Sequence, residues 1–242
     1  MAPKRDRKKL LINKMKIEIY YDGTEIENNC GEEVKGFTTN ISFLKAAGVS
    51  NYERFIKNSL TYSKGRPISF QLFDEDDADI ISTARKICSY DPSIFVKIPI
   101  IKSNGESNAS VIRQLHEEGL KINVTAIFTE EQIASISTVF KYSTDAIVSV
   151  FGGRVNDCGI DCSDLVKNSV ETFKNFPNIK ILWAACRTVY NIIEAEQQGA
   201  HIVTVPESVL SRTFRLKQSP SFASLETVRQ FREDGVSSNL TL

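Results

Sequence analysis

Residues 95–128 read FVKIPIIKSNGESNASVIRQLHEEGLKINVTAIF. Two short apolar runs, FVKIPI (95–100) and INVTAIF (122–128), flank the amphipathic segment SVIRQLHEEGL (110–120). That segment places Val111, Leu115 and Glu118 at helical spacing and ends at Gly119, a C-terminal stop signal. Strand, helix, strand is the unit of a parallel sheet. The same rhythm extends in both directions. KIEIYYD (16–22), GFTTN (36–40) and ISFQLF (68–73) precede it, and AIVSVF (146–151), KILWAA (180–185) and HIVTVP (201–206) follow. Helix-like segments lie between them, among them EEQIASISTVFKY (130–142) after the N-cap Thr129, and TVYNIIEAEQQGA (188–200) from Thr188 to Gly199. Eight strands interleaved with helices fit an α/β fold, a (β/α)8 TIM barrel. An open doubly wound sheet is the alternative. No GxGxxG follows the first strand, which counts against a dinucleotide site.

The chain has 242 residues, with 30 basic and 30 acidic side chains. A zero balance argues against general nucleic-acid binding, which needs a basic face. No apolar run approaches the roughly 20 residues that span a membrane. The five cysteines are an odd number without a CxxC pair, as expected of reduced thiols in a cytoplasmic protein. No metal or cofactor is expected. The acidic run DEDDAD (74–79) reads as a helix start that favours negative charge. His116 and His201 lie away from the other candidate residues, which disfavours a Ser-His or Cys-His nucleophile. Residues 1–14, MAPKRDRKKLLINK, read as a basic flexible tail, and residues 15–242 as one barrel domain. MKIEIYYD already opens like a strand, so Met15 is a second candidate start.

Strand parity points to a site. Alternate residues of a barrel strand face the interior. With Val96 and Ile98 against the helices, Lys97 faces inward. Phe70 and Leu72 outward put Gln71 inward. Val124 and Ala126 outward put Asn123, Thr125 and Ile127 inward. Val148 and Val150 outward put Ser149 and Phe151 inward. Asp22 and Asn40 fall at the inward ends of the first two strands. These groups gather near the C-terminal strand ends, where barrel enzymes place their chemistry. A single inward Thr or Gln is commonly a satisfied core group. An inward lysine in an apolar strand differs, because burying an ammonium is costly. Desolvation frees the neutral amine, which can attack a carbonyl to form a Schiff base.

Six pieces in order, YDGTEIE (21–27), GFTTN (36–40), FVKIP (95–99), NVTAIF (123–128), SVFGGR (149–154) and AACRT (184–188), resemble the small branch of the transaldolase family, which includes fructose-6-phosphate aldolase. The resemblance covers about residues 16–215 and implies a (β/α)8 barrel with a Schiff-base lysine on strand four. It implies roles for matching residues. Lys97 forms the iminium with a ketose such as fructose 6-phosphate or sedoheptulose 7-phosphate. Asp22 moves the C4 hydroxyl proton. Asn40 holds a substrate hydroxyl, and Asn123 stands beside Thr125, which positions a water with Gln71. Ser149 and Arg154 belong to the segment that binds substrate and phosphate, and Arg187 is a second phosphate cation. Transfer to an aldose phosphate makes a transaldolase. Release to water makes an aldolase.

The chain departs from both patterns. Transaldolases carry glutamate where Gln71 stands. Fructose-6-phosphate aldolases carry tyrosine where Phe151 stands, so Phe151 matches the transaldolases. Ala185 replaces a phosphate-binding serine, and Ile41 follows GFTTN where the family has proline. A barrel of reduced activity that only binds a sugar phosphate is a further alternative. The tail QSPSFASLETVRQFREDG (218–235) reads as an extra C-terminal helix with Leu225, Val228 and Phe231 on one face. In the small branch such a helix packs on a neighbouring subunit, which implies a homo-oligomer. Packing on its own barrel is the alternative.

Overall fold

A computed structural model describes residues 15–140 and 144–238. The expected basic tail, residues 1–14, lies outside them. Strands β1 (Glu18–Asp22), β2 (Gly36–Thr38), β3 (Ile68–Gln71), β4 (Ile94–Pro99), β5 (Ile122–Ile127), β6 (Ala146–Val150), β7 (Ile179–Trp183) and β8 (Ile202–Pro206) are all parallel. They close in chain order, with β8 pairing to β1 from Glu18 opposite Ile202 to Asp22 opposite Pro206. The fold is a (β/α)8 TIM barrel, and the open-sheet alternative is excluded by that closing pair.

Helices α1 (Ile41–Ala46), α2 (Tyr52–Ser63), α3 (Asp77–Cys88) and α4 (Ala109–Glu117) occupy the first half of the outer ring. They are followed by α5 (Glu130–Ile136), α6 (Gly152–Asp157), α7 (Ser163–Phe173), α8 (Val189–Gln197), the short α9 (Glu207–Leu210) and α10 (Pro220–Ser237). Their starts follow local chemistry. Thr129 and Gln132 form a capping box on α5, as Thr188 and Asn191 do on α8. Each box satisfies backbone donors that the first turn leaves open. The acidic run supplies Asp76 as N-cap of α3 and Asp77 and Asp79 in its first turn, where the helix dipole favours them. Gly119 and Gly199 adopt φ of +87° and +83° past the ends of α4 and α8. Helix α5 is shorter than its sequence reading, ending at Ile136. Ser137 turns its hydroxyl back to the Ala134 carbonyl, and such a serine competes with the helix ladder. The last two residues of that reading, 141–142, lie outside the described ones.

Two packed layers position the site. Outside the strands, Phe70, Val96, Val124, Val148, Ile181 and Val203 meet Ile80, Ile112, Ile133, Val166 and Ile192 of the helices in one buried cluster. Each such side chain contributes about 1.5–3 kcal/mol relative to exposure. Inside, Tyr20, Phe95, Ile147, Leu182 and Ile202 form a separate buried plug. Two residues further along those strands, on the same inward face, stand Asp22, Lys97, Ser149 and Thr204. The lumen is therefore apolar toward the N-terminal strand ends and polar toward the C-terminal ends.

One parity reading is corrected. Ile127 pairs with Val150 after a register shift that follows Val124, and it joins the outer cluster rather than the lumen. The cause is Ala126, whose φ of +59° inserts an irregularity and reverses the alternation beyond Thr125. Helix α10 has no buried residue, and Leu225, Val228 and Phe231 are 45%, 59% and 69% exposed. Its apolar face does not pack on its own barrel. No helix among the described residues is long and apolar enough to cross a membrane.

Candidate functional site

Lys97 lies in the middle of β4 and is 5% exposed. Register sets Gln71 on one side of it and Asn123 on the other. Its Nζ donates to the Thr39 carbonyl at 3.1 Å. Burial pushes the ammonium pKa below its ordinary value, while the charge of Asp22 partly holds it up. Asp22 ends β1. Burial pushes its carboxyl pKa up, and Lys97 and a hydrogen bond from Thr38 pull it back. Thr38 Oγ1 donates to Asp22 Oδ1 at 2.8 Å, and its hydroxyl also meets that of Thr204 on β8. Desolvation thus moves both members of the pair toward their neutral forms, an amine and a carboxylic acid. An amine and a carboxyl coupled in this way can act as nucleophile and proton carrier.

Beside Lys97 runs a buried polar chain. Ser149 Oγ donates to Asn123 Oδ1 at 2.7 Å, and Asn123 Nδ2 donates to Ser69 Oγ at 2.9 Å. The chain fixes the Asn123 amide from both ends. Thr125 is also buried, and its hydroxyl has no hydrogen-bond partner among the described residues. An unmatched buried hydroxyl costs free energy, and a bound polar group recovers it. Gln71 is half-buried. Its backbone carbonyl accepts from the Tyr52 hydroxyl at 3.0 Å, and its side-chain amide has no partner among the described residues.

The remaining candidates stand at the rim. Asn40 is the N-cap of α1, and its Oδ1 accepts from the Phe43 N–H at 2.9 Å. Its carbonyl oxygen is therefore committed to the helix, and its amide nitrogen is the group left for other contacts. Phe151 is half-buried against the inner plug, with its ring 5.6 Å from that of Phe128. Arg154, in α6, is exposed and makes no ion pair among the described residues. Arg187, beyond β7, is held at 2.8 Å by Asp157, which lies one turn after Arg154 on α6. The ion pair brings the second arginine beside the helix that carries the first.

Close backbone approach makes this rim possible. A Cβ on Gly152 would lie 2.4 Å from the Trp183 ring, and one on Gly153 would lie 1.8 Å from the Ala185 carbonyl oxygen. The FGGR segment therefore needs both glycines for α6 to sit against the end of β7.

The structure brings Lys97, Asp22, Gln71, Asn123, Thr125 and Ser149 to the C-terminal half of one lumen and Asn40, Phe151, Arg154 and Arg187 to its rim. Sequence reasoning missed Thr38, Ser69 and Thr204. The signal was present: Thr38 and Ser69 stand two positions before Asn40 and Gln71 and share their parity. Lys97 and Asp22 also fell within reach of no histidine: His201 Nδ1 accepts from the Ile181 backbone at 3.0 Å, a structural bond on β7.

Comparison with known proteins bears on the fold and the family. A solved structure of 2,3-dimethylmalate lyase, of the PEP mutase/isocitrate lyase superfamily, superposes with a TM-score of 0.53 over 96% of this chain and 88% of that one. At 11% identity that likeness shows the fold alone. Sequence relatives go further. A "Probable transaldolase" of Syntrophobacter fumaroxidans is 31% identical over 73% of this chain and 78% of its own length. One from Caldicellulosiruptor saccharolyticus is 33% identical over 73% and 78%, and one from Thermoanaerobacter 29% identical over 86% and 90%. The model of the transaldolase/fructose-6-phosphate aldolase family matches residues 19–242, a span that holds every residue of the site just described. The chain belongs to the transaldolase/fructose-6-phosphate aldolase family.

Proposed function

We propose that the protein is a transaldolase, a Schiff-base enzyme that moves a dihydroxyacetone unit from a ketose phosphate to an aldose phosphate. Fructose 6-phosphate and sedoheptulose 7-phosphate are the donors. The observation that carries this reading is Lys97, a lysine buried in an apolar strand, desolvated and coupled to Asp22. The neutral Lys97 amine adds to the donor C2 carbonyl, and the Asp22 carboxylic acid gives its proton to the departing hydroxyl, so that water leaves, an iminium forms and Asp22 becomes a carboxylate. Asp22 takes the C4 hydroxyl proton, the C3–C4 bond breaks, and its electrons move into the iminium to leave an enamine. The first aldose departs. The enamine carbon attacks the carbonyl of the second aldose, whose new alkoxide takes the proton back. Water then releases the product and restores Lys97.

Asn40 and Asn123 hold the donor hydroxyls in this scheme, with Ser149 fixing the Asn123 amide. Gln71 and Thr125 hold the water of the hydrolytic steps, and the unpartnered Thr125 hydroxyl supports that role. Phe151 walls the donor. Arg154 and Arg187 bind the phosphate, since two cations suit a dianion better than one. The reaction needs no cofactor. The exposed apolar face of α10 supports a homo-oligomer built through that helix, in a cytoplasmic protein of one domain.

Gln71 favours a second reading, an aldolase that releases free dihydroxyacetone, because an amide there is the aldolase pattern and cannot serve as a carboxylate base. Borohydride reduction after incubation with fructose 6-phosphate tests both. A dihydroxyacetone-sized adduct on Lys97, absent in Lys97→Ala, is expected. Free dihydroxyacetone without an added aldose then identifies the aldolase. No adduct with fructose 6-phosphate, sedoheptulose 7-phosphate or dihydroxyacetone leaves a barrel that only binds sugar phosphates.

A further inference from the structure

Gln71, the register neighbour of Lys97, also lines a recess whose other residues have no part in the transfer scheme. It has a volume of about 240 Å³ and opens between the ends of β3 and β4 and the start of α3. Ile41, Gln71, Phe73, Asp74 and Asn108 line it. Three observations mark it as built for a ligand. Asn108 is 2% exposed, and its Oδ1 has no partner among the described residues, although its Nδ2 donates to the Pro99 carbonyl at 3.0 Å. Asp74 Oδ2 is a second buried acceptor with no partner. Phe73 leaves its ring 65% exposed at the mouth, against Tyr52. Two unmatched buried acceptors call for a ligand that donates hydrogen bonds. The exposed ring offers an apolar face for the carbon chain of that ligand.

We propose that this recess is a donor subsite: it takes the hydroxylated chain on the C1 side of a ketone longer than dihydroxyacetone. The inference rests on the reading of Lys97 as the Schiff-base lysine. Position supports it. In the closed barrel, β3 and β4 lie across the lumen from β7 and β8, and the two arginines stand beyond β6 and β7. With C2 bonded to Lys97 and the phosphate at the arginines, the other arm of the ketone points toward β3 and Gln71. Asp74 and Glu75 line that end, and Lys102, which also lines it, is taken up by Asp77 at 2.6 Å, a balance that disfavours a second phosphate, whereas hydroxyl donors satisfy Asn108 and Asp74. At roughly 30 Å³ per water-sized volume, the recess holds a short hydroxylated chain. Ile41, which stands where the family has proline, is part of its wall.

The test compares dihydroxyacetone with erythrulose, which carries one more hydroxylated carbon. Each is reduced onto Lys97 with borohydride, and the half-saturating concentration is read by mass spectrometry. Erythrulose is expected to half-saturate at about tenfold lower concentration, the worth of one added hydrogen bond with its packing. Ile41→Phe narrows the recess and Asp74→Leu removes an acceptor. Each is expected to erase the erythrulose advantage and leave dihydroxyacetone labelling unchanged, with thermal unfolding reporting that the variant is folded. Should one variant fail to fold, the other decides. Equal half-saturation in the native protein, or an advantage that both folded variants retain, overturns the proposal. So does labelling by dihydroxyacetone alone, which leaves the Schiff-base reading standing. Labelling of Lys97 by neither ketone overturns that reading and this inference with it.

Discussion

Ser149 on β6 donates a 2.7 Å hydrogen bond to Asn123 on β5, which in turn donates at 2.9 Å to Ser69 on β3. The three side chains are buried, and Asn123 is the register neighbour of Lys97. The amide beside the lysine therefore cannot rotate without breaking two buried hydrogen bonds. Ser149→Ala leaves Asn123 Oδ1 buried and unpaired, and denaturant titration should show a loss of about 1–3 kcal/mol. Ser69→Ala strands the other end of the amide. The double variant should deviate from the sum of the singles by at least about 0.5 kcal/mol, because the groups share one partner. Strict additivity would mean that the serines act independently.

Asp22 and Lys97 set each other's titration. Burial lowers the lysine pKa, and the Asp22 carboxylate raises it. Asp22→Asn removes the raising influence, so the Lys97 pKa falls further. The neutral amine then persists to lower pH. Dihydroxyacetone labelling needs only imine formation, so it isolates this effect from carbon–carbon cleavage. The acidic limb of its rate profile should move to lower pH in Asp22→Asn. A shift to higher pH, or none, would show that the carboxylate does not act on the lysine. Turnover of fructose 6-phosphate should be lost in the same variant, since the proton carrier is gone.

The two glycines before Arg154 make a steric prediction. A methyl group at residue 153 meets the Ala185 carbonyl oxygen at 1.8 Å, and that oxygen belongs to backbone at a φ of +63°. Neither partner can move without shifting α6 or the end of β7. Gly153→Ala should destabilise the fold by about 1–3 kcal/mol, the usual cost of overpacking. It should also displace Arg154 and the Asp157–Arg187 pair. The KM for fructose 6-phosphate should then rise more than the half-saturating concentration of dihydroxyacetone, which carries no phosphate. An equal change in both would separate α6 from phosphate recognition.

The barrel and most of its site were legible because β-strands alternate strictly and apolar residues mark the helix-facing side. Lys97 between Val96 and Ile98, and Ser149 between Val148 and Val150, needed only that rule. The rule failed at Ile127, because a left-handed Ala126 inserts an irregularity that no local residue preference announces. It also left out Ser69, Thr38 and Thr204, whose partners lie on other strands. The resemblance makes Asn40 a substrate ligand, while a polar residue before ISFLKA is also an N-cap signal; its carbonyl oxygen serves the cap and its amide nitrogen is left for substrate. The pairing of Arg187 with Asp157 spans 30 residues and depends on how α6 seats on β7, which lies beyond sequence periodicity.

Helix α10 carries the last prediction. Its 18 residues start with Ser219 as N-cap and Pro220 in the first turn, so its ends are well specified. Yet none of its residues is fully buried, and helices in water draw most of their stability from a packed apolar face. Leu225, Val228 and Phe231 recur at spacings of three and form one exposed stripe. A second copy of the chain is the partner proposed for that stripe. Light scattering behind size-exclusion chromatography should give a mass that is a multiple of 27.1 kDa for the native chain. Val228→Glu with Phe231→Glu should return the monomer mass, and far-ultraviolet circular dichroism should fall by part of one helix while the barrel remains folded. A native chain that runs as a monomer at tens of micromolar, well above ordinary subunit affinities, would exclude the oligomer. A dissociated variant that keeps full helix content would show instead that α10 is stable alone and that the stripe acts only as a contact surface.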